Sequence, residues 1–218
     1  LTIIQSGPHL KNIEVFLDHC RRFKYNAKAG IVNSGDESDT LFYIMSGSVA
    51  AVMEDGDGKE ITLAYLNPGD FIGEMGLFGE QRRSACIRAK SNCELAEISY
   101  HKFHSLSRKH PEFLFAVGKQ VARRLRNTSS KMRDLALLDV SDCVARTLLH
   151  LCKEPDAIAL DKGIKLRITR QDIAKLIGCS REMVGRVLRE LEANQLISVR
   201  GKTIVVFNKS LNHLSVIQ

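Results

Sequence analysis

The 218 residues lack most of the features that would mark a membrane protein or a common type of hydrolase. No apolar run approaches the roughly 18–20 residues that a bilayer-spanning helix needs. The opening LTIIQSGPHL has neither a basic stretch nor a long apolar core, so no secretory signal is expected there. There is no P-loop, no H-E-x-x-H and no G-x-S-x-G. The six cysteines (Cys20, Cys86, Cys93, Cys143, Cys152, Cys179) contain no C-x-x-C pair, a spacing unlike any zinc or iron–sulfur clamp. They are expected to be reduced thiols, mostly buried, in a cytoplasmic protein without a metal. No long internal repeat and no low-complexity tract interrupts the chain.

What is present is the composition of a globular protein, 44% hydrophobic and 26% charged, with a formal net charge of +7. The length allows one large domain or two small ones. The positive balance favours a polyanionic partner, a weak argument taken alone.

From about residue 20 to 100 the text is strand-like. LFYIM (41–45), SVAAVMED and KEITLAYL are separated by the turns GDG (56–58) and NPGD (67–70), and alternation continues through CELAEIS. Short β-rich runs between Gly/Asp/Asn turns predict an antiparallel roll. LKNIEVFLDHC reads as a short amphipathic helix ahead of it. At His110–Pro111 the texture changes. From Glu112 to Leu138 there is no proline, and the only glycine is Gly118. Leu114, Val117, Val121, Arg124, Thr128, Lys131 and Leu135 recur at alternating three- and four-residue steps, the spacing of a coiled-coil seam. A helix this long with such a seam points to a dimer, although a helix packed on its own domain has the same spacing.

After Leu138, Asp139 or Ser141 is placed to cap a second amphipathic helix, and KEPDAIALDKGIKL reads as a loop leading into a short strand. Thr169 and Asp172 have the spacing of a capping box. Two helices then flank a tight turn at Gly178, and LISVRGKTIVVF reads as strand, glycine turn, strand. That order is a winged helix-turn-helix layout.

Two stretches carry candidate chemistry. The first is GCSREMVGRVLREL (178–191). On a helix, Val184, Val187, Leu188 and Leu191 form one stripe, while Arg181, Glu182, Gly185, Arg186 and Arg189 share the opposite side. An arginine can bond guanine O6 and N7 bidentately, and a carboxylate can accept from the cytosine amino group. The first turns of the second helix are where such contacts are made, so Arg181, Glu182 and Arg186 are the candidate base readers. Arg170, Gln171, Ser180 and Lys202 are candidates for phosphate contacts, which position without specifying. A solvated charged face is the alternative.

The second stretch is GDFIGEMGLFGEQRRSA (69–85). Gly73-Glu74-Met75-Gly76 is suited to a short helical turn whose free N–H groups face an anion. Arg83 and Ser84 add a guanidinium and a hydroxyl, and Glu74 suits a ribose hydroxyl. A sugar phosphate fits this set, as does an ordinary Gly-rich turn of a roll.

Taken together, DTLFYIMSGSV, the 69–85 stretch, NTSSK and GCSREMVGRVL resemble the cyclic-AMP receptor (CRP/FNR) family of transcription regulators over nearly the whole chain. The resemblance implies an α+β architecture: a jelly-roll-like β-roll over 1–110, a dimerisation helix and hinge over 111–138, and a winged helix-turn-helix over 139–218. It also implies a cyclic-AMP-dependent, sequence-specific DNA-binding regulator and not an enzyme. Such a protein acts as a homodimer on a palindromic operator, with RNA polymerase as a further partner. By match, Gly73 and Glu74 take the ribose side and Arg83 and Ser84 the cyclic phosphate. The long helix contributes Arg124, with Thr128 and Ser129 for adenine, the serine serving the partner's ligand. Nucleotide binding is expected to extend the helix through Leu138 and re-aim the recognition helices about a hinge near Asp139.

This chain departs from the family pattern in places. The loop before Arg83 is one residue shorter, so Arg82 competes for the phosphate, and Ala64 stands where some relatives carry a hydroxyl. Arg21, Phe23 and DAIALDKGIK differ on the expected polymerase surface, and LNHLSVIQ (211–218) runs past the usual end. A same-fold regulator gated by cyclic di-GMP or another effector, or by none, stays open.

Overall fold

The structure, a computed structural model, describes residues 12–56 and 58–210. It divides in the chain between Thr128 and Ser129 into two compact units. The 211–218 tail lies outside the described residues, as does the start of the expected first helix; its remainder is α1, Ile13–Leu17.

The N-terminal unit carries β1 (Arg21–Tyr25), β2 (Gly30–Val32), β3 (Thr40–Ser46), β4 (Val49–Glu54), β5 (Glu60–Leu66), β6 (Phe71–Ile72), β7 (Cys86–Ala89) and β8 (Cys93–Ser99). They form two four-stranded sheets, ordered β1-β8-β3-β6 and β2-β7-β4-β5, with every pair antiparallel. Successive side chains of a strand point to opposite faces, so the largely apolar runs of β3 and β8 supply apolar residues to both of their faces. Phe42, Ile44, Cys93 and Leu95 join one core cluster with Val32, Val49 and Ile87 of the other sheet. Leu41, Ala96 and Ile98 point the opposite way, into a second cluster with Phe16 of α1. That cluster is completed by Phe103 and Leu106 of α2 (Tyr100–Lys109) and by Phe113 and Val117 of α3 (Pro111–Leu137). Phe16 is its hub: its ring meets Tyr43, Phe71, Phe103 and Phe113 edge-on at centroid distances of 5.8, 5.8, 6.4 and 5.6 Å. Helix α2 falls in a stretch read above as the end of the β-rich part. Ser99 caps it by accepting from Lys102 N–H.

Helix α3 has the expected length, but its exposed apolar face differs from the expected seam. Val117 is fully buried in its own unit's core, and Arg124 turns to Glu74. Besides Leu137 at the helix's C-terminal end, 76% exposed, the most exposed apolar side chains are Phe115, Leu125 and Met132, at 79%, 66% and 70%. With Gly118, Ala122, Ser129 and Ala136 they recur at three- and four-residue steps. This stripe is offset from the expected one by about one residue, roughly 100° of helix. Of the apolar members of the expected set, Leu114 and Leu135 remain exposed and flank it.

The C-terminal unit packs α4 (Val140–Leu151), α5 (Arg170–Ile177) and α6 (Arg181–Ala193) on a four-stranded sheet. Its strands are β9 (Ile158–Leu160), β10 (Gly163–Arg167), β11 (Ile197–Arg200) and β12 (Thr203–Phe207), in the order β11-β12-β10-β9. The expected loop before β10 therefore holds a strand of its own. Asp139 caps α4 by accepting from Asp142 N–H at 2.9 Å. The capping box at α5 is complete: Thr169 Oγ1 accepts from Asp172 N–H at 3.1 Å, and Asp172 Oδ2 from Thr169 N–H at 3.1 Å. Thr169→Ala is expected to cost about 1 kcal/mol. A urea midpoint unchanged from wild type would show that the box adds nothing.

All six cysteines are free; Cys93 and Cys143 are buried and the other four part-buried. Burial pushes the Cys20 thiol up to about 12 and that of Cys152 up to about 11, leaving both protonated and unreactive at neutral pH. Among the described residues no helix is long and apolar enough to cross a membrane.

Candidate functional site

In the N-terminal unit the chain leaves β6 and enters a 3-10 turn, Glu74–Phe78, through Gly73. Gly73 has φ +83°, a left-handed conformation that side chains rarely adopt. A Cβ there would stand 2.1 Å from Arg83 Nη1 and 2.8 Å from the Thr40 carbonyl. The guanidinium is thus packed directly against the Gly73 backbone, which explains the glycine.

Arg83 is only 8% exposed. Its Nη2 donates to Thr40 Oγ1 at 2.8 Å, its Nη1 to Tyr100 Oη at 3.4 Å, and its head lies over the Phe42 ring. Tyr100 Oη also donates to the Gly73 carbonyl and shares a hydrogen bond with Ser38. None of these partners is an acid. Among the described residues the nearly buried Arg83 cation has no carboxylate beside it, although an uncompensated buried charge is costly. The neighbouring arginines differ. Arg124 Nη1 pairs with Glu74 Oε1 and Arg123 Nη2 with Asp70 Oδ1, each at 2.5 Å.

Gly73, Glu74, Arg83 and Arg124 are therefore brought together, with Ser84 exposed on the chain immediately after Arg83. Arg82 does not share the Arg83 position: it is exposed and donates to the Gly35 carbonyl at 2.8 Å. Ala64 sits in the β4–β5 ladder opposite Ala51. Thr128, one turn beyond Arg124, and Ser129 are exposed on α3. Sequence reasoning missed Thr40 and Tyr100, which hold Arg83, and Gln120, Asp70 and Arg123, which tie α3 to the loop. Their partners lie 17 to 53 residues away along the chain, so no local spacing marks them.

In the C-terminal unit Gly178 closes α5 in the left-handed conformation at φ +73°, and Ser180 opens α6 by accepting from Met183 N–H at 3.2 Å. Val184, Val187 and Leu188 are buried. Arg181, Glu182, Arg186 and Arg189 are exposed, and among the described residues their side chains make no ion pair or hydrogen bond. Gly185 corrects the helical-wheel expectation. It is buried, because the stem of Arg170 on α5 lies over it, with Cδ 3.7 Å from where a Cβ would stand. Arg170, Gln171, Ser180 and Lys202 are exposed, Ser180 using its oxygen for the cap.

The cyclic nucleotide-binding domain family matches residues 22–110, and the Crp-like helix-turn-helix domain family matches residues 144–211. The cAMP-activated global transcriptional regulator Vfr of Pseudomonas aeruginosa is 52% identical over 211 residues, spanning 95% of this chain and 99% of Vfr. The chain belongs to the CRP family of transcription regulators. The cAMP-activated CRP of Salmonella typhimurium is 52% identical over 196 residues, 89% of this chain and 93% of that protein. Among solved structures, the c-di-GMP-responsive global regulator CLP of Xanthomonas campestris superposes with a TM-score of 0.83 at 44% identity, covering 90% of this chain and 98% of CLP. As a CRP-family regulator the chain has a DNA-binding unit, the helix-turn-helix, and a cyclic-nucleotide-binding unit, the β-roll.

Proposed function

We propose that this regulator is switched by cyclic AMP and acts as a cytoplasmic homodimer on a palindromic operator. The observation that carries the reading is Arg83, 8% exposed, flanked by Thr40, Tyr100 and Gly73 rather than by an acid. A cyclic phosphate would supply the missing negative charge there. Ser84 and the N–H groups of the 3-10 turn complete the phosphate side. Gly73 and Glu74 take the ribose, and Arg124 fixes Glu74. Thr128 and the partner's copy of Ser129 close over the base.

The dimer forms along the exposed stripe of α3 that includes Phe115, Leu125 and Met132. Ligand at Thr128–Ser129 favours one state of the helix and its hinge at Asp139. In that state two recognition helices stand roughly 34 Å apart, one DNA turn. Arg181, Glu182 and Arg186 read bases, while Arg170, Gln171, Ser180 and Lys202 hold phosphates. RNA polymerase is the further partner.

A second reading, control by cyclic di-GMP, is favoured by the likeness to CLP, a c-di-GMP-responsive regulator. Calorimetry with each nucleotide, followed by operator binding at one salt concentration with and without it, separates the two. Cyclic AMP is expected to bind and to tighten operator binding at least tenfold. Cyclic di-GMP doing so in its place would overturn the first reading.

A further inference from the structure

Strand β6 is two residues long and lies at the end of its sheet, paired with β3 on one side. Among the described residues its other edge is met by no strand. An open edge leaves backbone N–H and C=O groups that must find partners when buried. Both such groups of Phe71 are taken by one side chain from α3. Phe71 N–H donates to Gln120 Oε1 at 2.7 Å, and Gln120 Nε2 donates to the Phe71 carbonyl at 2.9 Å. The amide thus pairs with Phe71 as a neighbouring strand would. Gln120 is 1% exposed, and the two residues are 49 apart in sequence.

The same turn of α3 grips the next residues of the loop. Arg123 bonds Asp70, and Arg124 bonds both the Phe71 carbonyl, at 2.6 Å, and Glu74. The arginine side chains are long, have many rotatable bonds and are part-exposed, so they can keep an ion pair through small shifts of the helix. The buried amide cannot. A slip of one residue moves a helical side chain about 1.5 Å along the axis and 100° around it, breaking both of its bonds.

We propose that Gln120 is a positioning residue for the nucleotide site. Its amide sets the register of α3 against the Asp70–Glu74 segment, and so fixes where Arg124 stands relative to Glu74. The inference rests on reading this loop as the cyclic-AMP site. The residue type follows from the chemistry. Among side chains in their ordinary neutral-pH forms, only an amide offers a donor and an acceptor side by side to match one residue's C=O and N–H, and asparagine is one methylene too short.

The test uses the full chain as wild type, Gln120→Met, Arg124→Met and the double variant. Cyclic-AMP affinity is measured by calorimetry, operator affinity without nucleotide by fluorescence anisotropy, and folding by urea titration. Gln120→Met fills the same volume without hydrogen bonds. It is expected to weaken cyclic AMP at least tenfold while leaving nucleotide-free operator affinity within twofold. In the Arg124→Met background the same change is expected to add less than threefold, because Gln120 acts through Arg124. Folded Gln120→Met with wild-type nucleotide affinity overturns the proposal. So does a loss that repeats in full on Arg124→Met, which would mark a purely structural role. Should Gln120→Met not fold, Gln120→Asn keeps the amide but leaves it one methylene short of Phe71. A loss of threefold or more in it supports the proposal, and wild-type affinity overturns it. A wild-type chain that binds no cyclic AMP fails the functional reading itself, a result distinct from a responsive wild type with an equally responsive Gln120→Met.

Discussion

Gly73→Ala is expected to abolish the response to cyclic AMP as completely as Arg83→Leu does, by a different route and with a different effect on folding. The added methyl would meet Arg83 Nη1 at 2.1 Å and the Thr40 carbonyl at 2.8 Å, at a residue whose φ is +83°. The guanidinium cannot step aside without leaving Thr40 and Tyr100, which hold it. The backbone cannot relax to negative φ without moving the start of the 3-10 turn. Affinity for cyclic AMP should fall roughly 100-fold, the size of one lost charge-assisted hydrogen-bond pair to phosphate. Stability should fall by about 1–3 kcal/mol from left-handed strain and the displaced neighbours. Arg83→Leu removes a nearly buried cation that has no carboxylate beside it among the described residues, so the affinity loss should be as large. Its urea midpoint should stay close to wild type, because an apolar side chain relieves the desolvation cost of that charge. Calorimetry and urea titration on both variants check this. Either variant retaining wild-type affinity would remove Arg83 from the phosphate role.

Much of this architecture is local in origin, and that part was readable. The strands of the roll lie between Gly/Asp/Asn turns, and the ends of α4, α5 and α6 are marked by Asp139, Thr169 and Ser180, whose caps depend only on residues three positions away. Helix α2 was missed because it buries only Phe103 and Leu106, and its cap, Ser99, sits in the alternation that ends β8. Strand β9 was missed because all three of its residues are exposed and β10 alone pairs with it, leaving no burial pattern.

The phase of α3 was misread for another reason. The helix carries two apolar stripes, one with Phe113 and Val117 in its own core and one with Phe115, Leu125 and Met132 exposed. A single three-four count starting at Leu114 runs between them. At the proposed nucleotide site the loop residues were legible because they are contiguous. The residues that hold them (Thr40, Tyr100 and Gln120) were not, since contacts across the roll leave no local spacing. Gly185 was placed outward by the same limit: a helical wheel contains one helix, and the side chain covering Gly185 comes from another.

The proposed recognition face yields the other large effect. Arg181, Glu182 and Arg186 sit in the first two turns of α6, exposed and without partners among the described residues, so nothing in the unit requires them for folding. Replacing any one with alanine should leave the urea midpoint within about 0.5 kcal/mol of wild type. On the operator each arginine that bonds a base is worth about 1–3 kcal/mol. In the proposed two-fold dimer the loss would enter once per half-site, so Arg186→Ala or Arg181→Ala should weaken operator binding by about 2–6 kcal/mol. The loss should come with relaxed preference at one base pair in each half-site. Glu182→Ala differs in sign between two readouts. Discrimination at its base pair should fall, while affinity for scrambled DNA should rise, because one repulsion from the phosphates is removed. Lys202→Ala provides the contrast. It should weaken binding evenly across sequences and shift the slope of log affinity against log salt by about one unit for each phosphate that the lysine no longer neutralises. Titrating wild type and these variants against operators changed at one base pair at a time, at one salt concentration, reads the base preferences, and repeating the Lys202→Ala titration across a salt series reads the slope. Equal losses on operator and scrambled DNA for Arg181→Ala and Arg186→Ala would make these side chains phosphate ligands and move base reading elsewhere on α6.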